Sequence, residues 1–341
     1  MHAPSLSGVM RRRALLGAGA VGLLASLYGW SRREPDHAAG AASLRIATPL
    51  VPHSGLVELA AGQGFLQGQG LNATLLPQSH GKAALGRLLS GQADLAVAAD
   101  VPVVVEMLKG APLCIVASVA SASNELAVLG RVDRGIRDAR DLSGRRVGVT
   151  LGTSGEYFLW AFLVRHRVAT ESIQLTNLAP SELIRSLRDG LVDAVAAWQP
   201  VRHEAELAFG DAIVSLHAPD AYAQRYVLIG LRDYVQAKQP ELSRLLRALV
   251  EAESFAHDQP QQARAALAQL IKLSPEALEP SWREMNFEIE QQQAQLVTLE
   301  DIATWAMARG YAPVQPMPNF LTHLDLDALS ALGPDRVTVV R

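Results

Sequence analysis

Arg45-Ile46-Ala47-Thr48-Pro49 opens a passage that the chain repeats from Arg146-Val147-Gly148-Val149-Thr150. In the first passage an apolar helical run, a strand at residues 73–76 and a helix at 82–90 follow. Gly91-Gln92-Ala93-Asp94 then leads into a strand at 95–99 and Pro102. In the second, an apolar run at 157–164, a strand at 173–177 and a helix at 182–188 precede Gly190-Leu191-Val192-Asp193, a strand at 194–197 and Pro200. The spacing from Asp to Pro differs by one residue, so architecture repeats more than sequence. Strand-length apolar runs alternating with amphipathic helices predict two βαβαβ units, with parallel sheets covered on both faces. Such sheets bind ligands beyond the carboxyl ends of their strands, so two facing lobes predict a cleft.

Composition suits two modest cores. The chain has 341 residues, 49% hydrophobic and 19% charged, which leaves no long tract too polar to fold. Formal net charge is −3; without residues 1–42, which carry five arginines against Glu34 and Asp36, 26 basic and 32 acidic groups remain, near −6. That sign gives no footprint for nucleic acid and no polybasic membrane face. Cys114 is the only cysteine, so no disulfide forms within the chain, and its apolar neighbours make it a small buried hydrophobe.

The first 42 residues read as an export signal or an N-terminal anchor. Arg11-Arg12-Arg13 precedes the apolar run 14–30, followed by a polar stretch and small residues, the order of an export signal. Arg12-Arg13-Ala14-Leu15-Leu16 resembles the twin-arginine pattern without its usual preceding Ser or following Lys, and Sec export stays open. Retention through residues 14–30 in the inner membrane stays open as well. No Cys follows the run, which excludes a lipoprotein.

Beyond the signal, short apolar segments at 126–130 and 227–231 bracket the second unit and are expected to connect the lobes in both directions. The first lobe is thus expected at 43–131 and 230–341, the second at 132–229. From Pro240 the pattern is helical at 242–255, 261–272 and 289–309, punctuated by Pro260, Pro275 and Pro280.

Three segments resemble a known family: Asp141-Leu142-Ser143-Gly144-Arg145-Arg146-Val147-Gly148-Val149, Gly152-Thr153-Ser154-Gly155-Glu156-Tyr157-Phe158-Leu159, and Asp193-Ala194-Val195-Ala196-Ala197-Trp198-Gln199-Pro200. They are similar to solute-binding proteins of nitrate/sulfonate/taurine-type ABC importers, a group that includes pyrimidine-precursor binders. The resemblance implies a two-lobe α/β type II periplasmic-binding fold, and the chain is expected to act in the periplasm as a monomer without cofactor. It also implies that a small-molecule ligand is captured between the lobes and passed to a permease and its ATPase.

The residues offer their own reading of the cleft. Pro52-His53-Ser54-Gly55 and Gly152-Thr153-Ser154-Gly155 place small residues at helix starts, where unpaired N–H groups favour an anion or carbonyl. Both loops are expected to face the cleft, bringing His53, Ser54, Thr153, Ser154 and Gly155 to the ligand. Ser79 and His80 open the next helix of the first lobe, beside Lys82 as a cation. Glu156 has two readings: the acidic end of a capping box, or a cleft carboxylate that rejects anions and accepts ligand donors. Trp198 either covers a ligand ring or fills core, Gln199 offers a donor and an acceptor, and Asp100 either contacts ligand or caps the helix at Pro102.

Catalysis has no local support. The chain lacks a G-x-S-x-G elbow, a phosphate-binding G-x-x-x-x-G-K-[ST] loop and H-E-x-x-H, and its nine histidines are scattered. His53, His80 and His203 are candidates to converge near the cleft, but three scattered histidines do not define a metal site. The expected function is capture and delivery of a small polar organic molecule or oxyanion. A sensor ectodomain with a separate partner, or a cleft enzyme on the same fold, are the alternatives.

Overall fold

The computed structural model describes residues 42–340, so the expected signal or anchor lies outside the described residues. The first lobe begins β1 (Ala42–Pro49), α1 (Gly55–Gly62), β2 (Leu71–Gln78), α2 (Gly81–Leu89), β3 (Leu95–Ala99), α3 (Asp100–Leu108) and β4 (Leu113–Ala122). The second lobe runs β5 (Ala127–Arg131), β6 (Arg146–Val149), α4 (Ser154–Arg165), β7 (Gln174–Asn177), α5 (Leu183–Arg188), β8 (Ala194–Ala197), α6 (Val201–Phe209) and β9 (Ile213–Leu216). The chain returns through β10 (Gln224–Leu231) and ends in a helical tail: α7 (Arg232–Ala237), α8 (Gln239–Asp258), α9 (Pro260–Leu270), α10 (Pro275–Glu284) and α11 (Gln293–Ala308). No helix among the described residues is long and apolar enough to cross a membrane.

The two sheets have the same plan. The first has the order β2-β1-β3-β10-β4 and the second β7-β6-β8-β5-β9. In each, three strands are parallel, and the fourth, arriving from the other side of a crossing, is antiparallel to both its neighbours. This corrects two expectations. The sheets are mixed, and the segments expected to be connectors are buried strands inside a sheet. β5 pairs with β8 and β9, and β10 with β3 and β4, opposite to the lobes expected from sequence. The segments are apolar because both their faces are covered; the crossings are residues 123–126 and 217–223.

Alternation along the strands shows why these sheets are sandwiched. Leu95 and Val97 of β3 join one apolar cluster while Ala96 and Ala98 join another. In β8, Val195 and Ala197 face one cluster and Ala194 and Ala196 the other. Each strand therefore reads as a continuous apolar run. The shared cluster continues from Leu85 and Val104 of the first lobe to Phe158 and Phe162 of the second, joined by Trp305 of the tail. Each such side chain contributes roughly 1.5–3 kcal/mol by leaving water.

One ion pair locks the repeat in each lobe. Arg45 reaches Asp94 through its backbone N at 2.8 Å, Nε at 3.1 Å and a terminal nitrogen at 2.7 Å. Arg146 repeats the arrangement on Asp193 at 3.0, 3.1 and 2.7 Å. The Arg146 guanidinium holds the Asp193 carboxyl below the usual carboxylate range. The preceding turns need φ of 72° at Gly91 and 71° at Gly190, values that favour glycine.

The tail departs from its expected punctuation. α10 continues through Pro280, and residues before Gln293 run extended, with Glu290 bridging Ser118 of β4, so the last helix starts later than its apolar period suggests.

Candidate functional site

A small cavity lies where the strand ends of both lobes meet, lined by His80, Gly81 and Lys82 at the start of α2 and by Ala99 and Pro102 around the start of α3. Gln224 and Tyr226 of β10 close it on the first-lobe side, and Thr153, Ser154 and Trp198 on the second. It offers about 20 Å3 to the centre of a water, room for roughly one. The lobes are closed over it: Lys82 Nζ donates to Leu151 O at 3.0 Å across the cleft.

Both helix starts at this cavity keep their first-turn N–H groups clear of side-chain caps. His80 precedes α2 in an extended conformation and makes no capping bond. Thr153 precedes α4, but its hydroxyl donates to Thr150 O at 2.6 Å instead of capping. Oriented N–H groups and two helix dipoles therefore converge on one small space, the physical basis of an anion site. Glycine allows the close approach. A Cβ on Gly81 would stand 3.0 Å from Ala98 Cα, and one on Gly155 would stand 3.1 Å from Trp198 Cζ3. Trp198, 7% exposed, lies against that helix start and belongs to the interlobe core as well as the cavity wall.

The first-lobe loop expected to match Thr153-Ser154-Gly155 lies elsewhere. His53 is 1% exposed, stacks on Tyr226 with ring centroids 4.2 Å apart, and sets Nε2 2.6 Å from Glu125 Oε2. Ser54 donates its hydroxyl to Pro49 O at 2.6 Å and to Val51 O at 2.9 Å. Both are buried behind the cavity, which the next helix start of that lobe reaches instead. Ser79 lies at its edge with Oγ 2.9 Å from His80 Nδ1.

Beneath the cavity two buried carboxylates tie the crossings. Glu125, in the outgoing crossing, accepts from Gln199 N at 3.0 Å while it holds His53, so one side chain touches both lobes. Gln199 Oε1 accepts from His203 N at 3.1 Å, which turns the side chain into α6. Asp100 accepts from the Tyr222 hydroxyl of the returning crossing, from Val101 N at 2.9 Å and from Arg225 N at 3.3 Å. Burial raises the Asp100 carboxyl to about 6, and those three donors only partly offset it.

Glu156 is engaged away from the cavity. Its Oε2 accepts from Gly152 N at 2.7 Å and from the Tyr311 hydroxyl, and Oε1 lies 3.5 Å from an Arg309 terminal nitrogen. The bond falls one residue earlier than a capping box requires, and the tail beyond α11 supplies the other partners. Of the residues singled out in sequence, His80, Lys82, Thr153, Ser154 and Trp198 line the cavity, and Gly155 packs against Trp198. His53, Asp100 and Gln199 lie behind its wall, and Glu156 is held apart from it by Gly152 and Tyr311. Sequence reading missed Gly81, Ala99, Pro102, Gln224 and Tyr226 at the wall, and Glu125, Tyr222 and Tyr311 behind it. The signal for Gln224 and Tyr226 was their place beside an apolar run following a crossing.

Solved structures share this fold. The alkanesulfonate-binding protein SsuA from Xanthomonas axonopodis pv. citri, solved bound to MOPS, superposes with a TM-score of 0.72 at 21% identity, covering 84% of this chain and 99% of that one. The periplasmic aliphatic sulphonate binding protein SsuA from Escherichia coli gives 0.72 at 20%, over 83% and 97%. The periplasmic nitrate-binding protein NrtA from Synechocystis PCC 6803 gives 0.70 at 11%, over 86% and 88%. The fold is thus the two-lobe periplasmic-binding fold. The NMT1/THI5 like family model matches residues 52–263, more than half of the chain, and the protein belongs to the NMT1/THI5-like family.

Proposed function

We propose that this protein is the solute-capturing component of an ABC importer and that its solute is a small organic molecule with an anionic head, such as a sulfonate. One observation carries the reading: two uncapped helix starts, one from each lobe, meet at a cavity whose described lining residues include no carboxylate. With Glu156 held by Tyr311 and Gly152, the cleft presents donors, Lys82 and His80 to a ligand. Trp198, Pro102, Ala99 and the Tyr226 ring offer apolar surface for a short carbon chain.

Capture proceeds by closure of the lobes about residues 123–126 and 217–223, which removes the ligand from water and fixes its acid group between the helix starts. One chain supplies both walls, which supports action as a monomer. It works on the outer side of the inner membrane, and the closed form is the one that a permease and its ATPase receive. The test is calorimetry of the purified protein with methanesulfonate, nitrate and an aminopyrimidine, followed by mass spectrometry of the recovered ligand. The expected outcome is binding of the sulfonate, with its mass unchanged. Exclusive binding of the aminopyrimidine would overturn the anionic reading, and a changed mass would overturn capture without chemistry.

A further inference from the structure

We propose that Gln224 reads a hydroxyl on the captured molecule, so that the preferred ligand is a short organic anion carrying a neutral hydrogen-bond donor away from its acid group. This rests on the anionic reading above. Gln224 opens β10, is 2% exposed and stands at the cavity wall. Its Oε1 has no hydrogen-bond partner among the described residues. Tyr226 stands on the same wall and is fixed by the stacked His53 ring, which Glu125 holds. The Gln224 side chain is thus buried at the wall with its acceptor left over.

A buried acceptor without a donor is costly, and a ligand that supplies one recovers that cost on binding. The rest of the wall already sets the complementary requirement, since helix-start N–H groups and Lys82 call for an acceptor group on the ligand. A molecule with an acid group alone answers one side and leaves Gln224 bare. An ammonium is the poorer donor here. Lys82 and His80 share the cavity, no acidic residue among the described residues lines it, and the nearby carboxylates of Asp100 and Glu125 are engaged with Tyr222 and His53.

The experiment is calorimetry of the full chain with ethanesulfonate, 2-hydroxyethanesulfonate and 2-aminoethanesulfonate, on the native protein and on Gln224→Met. In the native protein the hydroxyl probe should bind about tenfold or more tightly than either other probe, the discrimination expected where a site polar group is otherwise left unpaired. In Gln224→Met its advantage over ethanesulfonate should shrink to within about twofold, the methionine keeping length but offering no comparable acceptor. Equal affinities in the native protein would mean that a water serves Gln224, and would overturn the inference while leaving the anionic reading intact. An advantage retained in Gln224→Met would overturn it too. If none of the three binds, the anionic reading falls and this inference with it. Should Gln224→Met fail to fold, the ranking on the native protein decides alone.

Discussion

The two lobes share a strand order, an Arg–Asp lock and a glycine turn, yet they use matching positions for opposite purposes. After β3 the first lobe places Asp100, buried beneath the cavity on Tyr222; after β8 the second places Trp198, at the cavity wall. Ahead of the first helix of each unit, His53 and Ser54 are spent on internal bonds, while Thr153 and Ser154 line the cavity. The repeat thus specifies scaffold, not site. Once the strands and turns of both copies are satisfied, each loop is left to serve either the crossing or the cavity.

Substitutions at matched positions test that division. Trp198→Ala should have the largest effect, because the ring belongs to core and cavity together. The expected stability loss is about 3 kcal/mol or more in denaturant unfolding, with weaker ligand binding in calorimetry. A folded, fully stable variant would place the ring outside the core. For Asp100 the readout is pH. Its carboxyl rises from 3.8 unfolded to about 6 in the folded chain, chiefly through burial, so the folded state holds the proton more tightly. The group's stabilising contribution is complete below pH 3.8 and lost as pH rises through 6. The loss is on the order of 3 kcal/mol and should be missing from Asp100→Asn in melting curves across that window. Parallel curves for the two proteins would contradict it.

The paired glycines sharpen the contrast. A Cβ at Gly55 would stand 2.9 Å from Leu267 Cδ2 and 3.0 Å from Phe287 Cε1, so Gly55→Ala should cost about 2 kcal/mol of stability with ligand affinity unchanged. Gly155→Ala pushes on Trp198 instead and should lower affinity by about tenfold with little change in melting. Identical behaviour of the two would remove the functional difference between the lobes. The smallest effect belongs to Glu156→Gln, which keeps an acceptor for Gly152 but gives up the charge facing Arg309. About 1 kcal/mol of closed-state stability should go, read as a roughly fivefold loss of affinity. Unchanged affinity would show that this tie does not contribute to closure.

The repeat was legible because its signals are local. Arg45 and Arg146 lie in the first strands of the two repeats, Gly91 and Gly190 turn the chain after a helix, and Asp94 and Asp193 return to the arginines, all within single units. The exchange of β5 and β10 between lobes was not legible. A buried central strand is an apolar run in whichever sheet it lies, and nothing in Val128-Leu129 or Leu228-Ile229 names its neighbours. The site divided in the same way. Thr153, Ser154 and Trp198 followed from the α/β rule that strand ends face the cleft, whereas Gln224 and Tyr226 enter at the start of an antiparallel strand, which that rule does not cover. The role of Glu156 depended on Tyr311 and Arg309, far along the chain and without a pattern of their own.

The strand exchange also bears on the order in which the molecule assembles. The sheet of the second lobe uses residues 127–216 without interruption, so all its pairings are available once that stretch has been synthesised. The sheet of the first lobe cannot finish so early: β3 and β4 are separated by the width of β10, which is made only after the whole second lobe. Until then two apolar strands present open edges towards a gap, the kind of surface that recruits other chains. Filling the gap closes a long loop, a slow step by its sequence separation. The nascent chain is therefore most exposed to aggregation after its second lobe has formed and before Gln224–Leu231 has docked, and that insertion sets the pace at which the cleft first comes into being.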